Sequence, residues 1–259
     1  MKKLLWFWEY SKNTTEEANI LQSEDSAWRD ETLNVLIPMA GRGTRFNGSE
    51  FEKPKPLIKW DGKYMIEHVV DNFKDKQVSF TVIKRDSHNL ELDGINIISI
   101  DYTTEGPAST AYLAKDCINK NEELLIINCD QIIKDWNHDL FLSYARNFDG
   151  VVGTFISNSP KNSYVKVDNN NLATILKEKE VISNIATNGL HYWKKAKYFF
   201  DSCDEMISKK DTTNGEYYIA PSYNYLIKKK YKIGIHMFNQ HFPIGTPEDL
   251  KRYLKNENN

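Results

Sequence analysis

LNVLIPMAGRGTRF, Leu33 to Phe46, decides the fold. Its first six residues are a short apolar, β-branched run without polar alternation, and the run stops abruptly at a glycine-bearing loop, the profile of a strand buried on both faces. Comparable runs recur downstream as SFTVI from Ser79, INIISI from Ile95, LLIIN from Leu124, VVGTFI from Val151 and YKIGIHM from Tyr231. Between the early runs, MIEHVVDNF from Met65 and STAYLAKDCI from Ser109 repeat apolar residues at three and four places, as amphipathic helices do. Strands alternating with helices predict an α/β, Rossmann-like fold whose mixed, mostly parallel central sheet is flanked by helices. After Val151 the strands follow one another directly, so an antiparallel insertion is expected in the second half. Residues 1–31 turn polar and acidic after Trp6, Phe7 and Trp8 and show no strand alternation. They read as an N-terminal extension, the aromatic cluster packing on its own domain or on a partner subunit, with the main domain over 32–259.

Composition narrows the function classes. The 259 residues carry 34 Lys plus Arg against 36 Asp plus Glu, a net charge of -2, so the global basic field of a nucleic-acid coat is missing and any positive site must be local. Cys117, Cys129 and Cys203 are widely spaced and form no CxxC pair, which suggests neither a zinc knuckle nor a disulfide framework and fits a reducing cytoplasm. The apolar run near the start is cut by Glu9, too early for a secretory signal, and no stretch approaches the ~20 apolar residues of a membrane span. Neither a nucleic-acid partner nor a membrane is expected.

The loop PMAGRGTRF, Pro38 to Phe46, suits phosphate: Gly41 and Gly43 let backbone amides approach closely, and Arg42 and Arg45 add positive potential. It lacks the GK[ST] of a Walker loop and the third glycine of a dinucleotide fingerprint, and alone it also reads as a tight turn. A few residues on, EKPKPLI, Glu52 to Ile58, uses two prolines to hold Lys53 and Lys55 on an extended segment, a way of aiming an ammonium. A solvated proline loop is the plain alternative.

Together, AGRGTRF and KPKPLI resemble the LxxGxGTR and KPL signature of the sugar-1-phosphate nucleotidylyltransferases, and motifs continue in that family's order to about Leu254. The resemblance implies a magnesium-dependent enzyme that joins a nucleoside triphosphate to a phosphorylated small molecule and releases pyrophosphate. It implies that Gly41, Arg42, Gly43, Thr44 and Arg45 wrap the triphosphate, that backbone at Pro38, Met39 and Ala40 meets the base, and that Lys55 stabilises charge at the attacked phosphorus. TEGPASTAYLAKD, from Thr104, stands where the family carries a base-recognition loop, which assigns Glu105 and Gly106 to the nucleotide; Ser109 is a candidate helix cap.

In LLIINCDQII, Asp130 falls at the carboxyl end of a buried strand, the edge where ligands collect in open sheets; an Asx turn is the alternative. The resemblance makes Asp130 the principal magnesium ligand. Glu178 and Lys179 match the family's EK pair on the acceptor, Asn188 and Gly189 of TNGLHYW match its acceptor-lining strand, and NGEYYIAPSYNYLI brings a glutamate, Glu216, with tyrosines that read as core. HFPIGTPEDL matches a late segment of the family but has Pro243 where many relatives hold a second metal-binding aspartate, so Glu216 or water is the expected substitute. Three readings follow: a sugar 1-phosphate nucleotidylyltransferase for nucleotide-sugar or capsule polysaccharide synthesis, a cytidylyltransferase for a phosphocholine-like or other non-sugar phosphate, or a relative that binds without catalysis. A homodimer is the oligomeric state suggested by the family.

Overall fold

The structure, a computed structural model, describes residues 32–41, 43–46, 48–51, 53–75 and 77–257. The expectations placed on Trp6 to Trp8, on the 1–31 extension and on Arg42 lie outside these residues.

In chain order the elements are β1 (Leu33–Pro38), β2 (Lys59–Trp60), β3 (Lys63–Tyr64), α1 (Met65–Phe73), β4 (Val78–Arg85), β5 (Asn96–Ile100) and α2 (Pro107–Tyr112). Next come β6 (Leu124–Ile127), β7 (Gln131–Ile133), α3 (His138–Ala145), β8 (Gly150–Ile156), β9 (Ser163–Val167), β10 (Ala173–Glu178) and β11 (Ile185–Trp193). The chain closes with α4 (Ala196–Ser208), α5 (Ile219–Lys228), β12 (Ile233–Met237), β13 (His241–Pro243) and α6 (Pro247–Glu257). Nine strands form one sheet in the order β10-β9-β11-β6-β1-β4-β5, with β8 pairing β11 and β12. The ladders β6-β1-β4-β5 are parallel, whereas β11 runs antiparallel to β6, β8 and β9, so the antiparallel part begins where direct strand succession predicts it.

Side-chain alternation on β1 explains its buried run. Val35 and Ile37 join one core with Met65, Val69 and Phe73 of α1, Phe141 of α3 and Leu250 of α6, while Leu36 joins the other with Ala108 of α2, Phe199 of α4 and Tyr223 of α5. Both faces are covered, so the strand is apolar apart from Asn34 near its start, whose amide donates to Glu122 Oε2 (2.9 Å) and Glu123 O (3.2 Å). From β1 the chain steps outward to β4 and β5, then returns past β1 to β6. The order reverses between β1 and β6, and the crevice at their carboxyl ends is where an open α/β sheet collects ligands.

The predicted helix from Ser109 is shifted and shorter. α2 starts at Pro107 after Gly106, whose φ of 125° closes the preceding loop, and beyond Tyr112 the chain tightens into i→i−3 turns such as Leu113 N to Thr110 O (3.2 Å) and Lys115 N to Tyr112 O (3.0 Å). Ser109 is therefore inside the helix and caps nothing; its hydroxyl is buried without a partner among the described residues. A capping hydroxyl does appear at α6, where Thr246 Oγ1 accepts from Asp249 N (3.2 Å).

Candidate functional site

The loop after β1, the loop after β6 and the turn carrying Lys55 meet at the switch-point crevice, in a cleft lined by Pro38, Met39, Gly41, Gly43, Lys55 and Cys129. Lys55 begins a 3-10 turn, Lys55–Leu57, instead of lying on the extended segment expected from its prolines. Pro54 keeps the extended conformation (ψ 132°) and accepts from Leu57 N at 2.8 Å, and Pro56 fits inside the turn because its fixed φ suits it. Lys53 is exposed. Gly43, at φ 62°, packs on this turn: a Cβ there would stand 3.4 Å from Lys55 N, so the glycine loop and the lysine form one wall.

From that wall Lys55 Nζ reaches Asp130 Oδ2 at 2.7 Å, each side chain about one-fifth exposed (19% and 18%). Burial by itself would push the Asp130 carboxyl up, but the Lys55 ammonium, its hydrogen bond and the Arg45 guanidinium hold it below the usual carboxylate range. The same burial opposes charge on Lys55, and Asp130 outweighs it, so the lysine is raised above its ordinary value. Gly245 closes the far side: a Cβ built on it would lie 2.4 Å from Asp130 Oδ2 and 3.6 Å from Arg45 Nη1. Arg45, Lys55, Asp130 and Gly245, remote in the chain, thus share one cleft.

β13 runs antiparallel to β7, with Pro243 opposite Gln131 and Ile244 N donating to Asp130 O at 2.9 Å. Pro243 therefore sits beside Asp130, at the place a second carboxylate would occupy. Glu216, the expected substitute, is engaged in a different cluster. Its carboxylate accepts from Tyr218 OH, which in turn accepts from Lys179 Nζ. Among the described residues no group of three or more His, Cys, Asp or Glu side chains is gathered as a cation cage. The carboxylate of Asp130 takes its hydrogen bond on Oδ2, and Oδ1 accepts none from the described residues. Such a single, partly exposed carboxylate fits magnesium, which is commonly held by one or two carboxylates with substrate phosphates and water.

The second cluster gathers Glu178, Lys179, Glu216 and Tyr218. Glu178 accepts from Ser163 Oγ, and burial raises its carboxyl above the ordinary range. Lys179 adopts φ 54° at the end of β10 and lies over the Tyr218 ring, 4.6 Å from its centroid. Tyr223 and Tyr225 are core, as expected, whereas Tyr218, at the start of α5, belongs to this polar cluster. Glu105 and Gly106 join it through backbone: Tyr217 N donates to Glu105 O (2.7 Å) and Ala108 N to Tyr217 O (2.9 Å). Asn188 is buried, its Oδ1 accepting from Leu190 N at 3.1 Å, and Gly189 (φ 81°) packs against the Asn128 amide in the loop after β6.

Arg85, the last residue of β4, lies in no motif and donates to Ala40 O; Tyr218 stands among the tyrosines of NGEYYIAPSYNYLI that read as core, and Gly245 of HFPIGTPEDL shows its contact with Asp130 only in the fold.

Comparison with known proteins bears on the fold and its family. Residues 35–157 match the MobA-like NTP transferase domain. The bifunctional protein GlmU of Methanocaldococcus jannaschii is 26% identical over 227 residues, 84% of this chain and 52% of that protein, so the chain spans about half the length of this curated relative. A nucleoside-diphosphate-sugar pyrophosphorylase from Vibrio cholerae RC9 superposes with a TM-score of 0.73 at 22% identity, covering 85% of this chain and 99% of that one. The CTP:phosphocholine cytidylyltransferase of Streptococcus pneumoniae gives 0.67 at 15% identity, covering 88% and 99%. At these identities the two structures share the fold. The resemblance drawn from AGRGTRF and KPKPLI accords with these matches: residues 35–157 are similar to the MobA-like NTP transferase domain, and the chain shares the fold of a nucleoside-diphosphate-sugar pyrophosphorylase.

Proposed function

We propose that the chain is a nucleotidylyltransferase that joins a nucleoside triphosphate to a sugar 1-phosphate, giving a nucleoside-diphosphate sugar and pyrophosphate. The observation that carries this reading is the Lys55 to Asp130 pair at 2.7 Å, flanked by Arg45, at the β1/β6 switch point. A phosphate oxygen of the acceptor attacks the α-phosphorus, forming one P–O bond while the bond to the bridging oxygen of pyrophosphate breaks. The attacking oxygen is already anionic at neutral pH, so no general base is required; bringing two polyanions together and neutralising them is the task. Lys55 supplies the cation at the attacked phosphorus, Arg45 and the amides of Gly41 and Gly43 hold the triphosphate, and Lys179 meets the acceptor phosphate while Glu178 binds acceptor hydroxyls. Asp130 would hold magnesium, which when bound would screen the phosphate charges of both reactants.

A second acceptor class, a phosphocholine-like or other non-sugar phosphate, is supported by the shared fold of the pneumococcal cytidylyltransferase and by Pro243 at the position of the second aspartate. The test is pyrophosphate release in the presence of magnesium over a panel of triphosphates crossed with sugar 1-phosphates and phosphocholine. Release with a sugar 1-phosphate supports the leading reading, and release with phosphocholine alone transfers it to the second. Nucleotide binding without release for any acceptor would leave a non-catalytic relative.

A further inference from the structure

We propose that Arg85 is a positioning residue for the nucleotide, fixing the separation of the two loops between which the base and ribose would lie; this rests on the nucleotidyltransferase reading. β4 lies between β1 and β5 in the sheet, so its carboxyl-terminal residue is the one placed to reach the loops that follow both neighbours. Arg85 does so. Its Nε donates to the carbonyl of Ala40 at 3.0 Å, in the glycine loop, and its Nη2 donates to Thr103 Oγ1 in the loop after β5.

Each anchor extends further. Ala40 is 1% exposed and leads directly into Gly41 and Gly43 on the Lys55 wall. Beyond Thr103, Thr104 Oγ1 meets Gly106 O (3.3 Å) and Thr110 Oγ1 (2.5 Å), so fixing Thr103 steadies the Glu105 and Gly106 turn. Both partners of the guanidinium are neutral, and among the described residues no carboxylate pairs with it. A planar fork with several donors can span two loops; a single ammonium cannot hold both acceptors in that geometry.

The experiment is steady-state pyrophosphate release with triphosphate and acceptor varied separately. Arg85→Ala is expected to raise the KM for triphosphate about tenfold, the size expected for losing a charged hydrogen bond. Its kcat and acceptor KM should stay near wild type, and Arg85→Lys should recover only part of the loss. Thr103→Val, which keeps Arg85, should raise the same KM to a smaller extent, and the double variant should be no worse than Arg85→Ala alone, since both act through one contact. An unchanged triphosphate KM in Arg85→Ala, or additive effects in the double variant, overturns the proposal. So does an equal rise in both KM values with a lowered melting temperature, which would mark Arg85 as merely structural. Should Arg85→Ala not fold, Thr103→Val decides by the same split. Wild-type release is the control: its absence removes the nucleotidyltransferase reading, whereas wild-type release with a normal Arg85→Ala removes only this inference.

Discussion

At the scale of single residues, the Lys55 to Asp130 pair separates binding from chemistry. In the proposed mechanism triphosphate charge would be shared among the glycine-loop amides and Arg45 while the attacked phosphorus would have Lys55, so Lys55→Ala should cut kcat roughly a hundredfold or more, by analogy with losing one oxyanion donor, while triphosphate KM changes little. Stopped or continuous pyrophosphate assays read this directly, and near-normal turnover would remove Lys55 from the mechanism. Gly245 makes a complementary prediction. Its missing Cβ would stand 2.4 Å from Asp130 Oδ2, closer than real Cβ contacts come, so Gly245→Ala must displace the carboxylate or the loop. Turnover should drop by about tenfold or more, since misplacing a reacting group by an ångström costs on that order; unchanged kcat would show that Asp130 need not hold its position. Lys55, Asp130 and Arg45 can be picked out in the sequence as candidates because each sits in a motif with its own local logic, a proline segment read as extended, a strand end and a glycine loop, although the turn that aims Lys55 is not visible there. Arg85 cannot, and the motifs holding Gly245 and Tyr218 do not reveal their partners, because these contacts exist only across the fold.

β11 shows the same division at the scale of an element. Its strand was expected from the resemblance of TNGLHYW, yet it also buries His191 at 4% exposure beside Trp193 and Tyr223, a placement that the resemblance does not reveal. Burial holds that imidazole down at about 3, well below its ordinary value of 6.5. A histidine depressed in the folded state is neutral there while the unfolded chain takes up its proton. Its contribution to stability is therefore intact above about pH 6.5 and is lost as pH falls toward about 3. Between pH 6.5 and 5 the loss is about 2 kcal/mol for one fully buried histidine. His191→Phe should flatten this part of the urea-denaturation profile relative to wild type; parallel profiles would refute the assignment. α2 teaches the opposite lesson. Its apolar spacing promised a helix from Ser109 to Ile118, but Gly106 and Pro107 set the start and the turns after Tyr112 satisfy the backbone without a full helix.

Across the whole molecule, stability and site are anchored in different places. Under the amino-terminal edge of β6, Glu123, 4% exposed, accepts from Arg146 Nε (2.9 Å) and Nη2 (2.7 Å) and from Tyr192 OH (2.5 Å), tying the loop before β6 to α3 and β11. Breaking it strands a buried carboxylate, so Arg146→Met should cost on the order of 3 kcal/mol in chemical denaturation. The cleft is at the opposite, carboxyl end of β6, and the KM values of the folded variant should be those of wild type. The order of strands, and hence which strand ends meet, was not readable locally, because pairing partners such as β1 and β6 are separated by most of the first half of the chain; only the right-handed alternation of strands and helices constrained it. The same layering argues about the extension. Both faces of the sheet are covered by elements that begin at Leu33 or later, α1, α3 and α6 on one side and α2, α4 and α5 on the other. A chain starting at Thr32 should therefore fold with a cooperative transition and keep the pyrophosphate release of the full chain, with circular dichroism and the enzymatic assay as the two readouts. Loss of the folding transition would make residues 1–31 part of the core, and loss of release in a folded truncation would place them at the site.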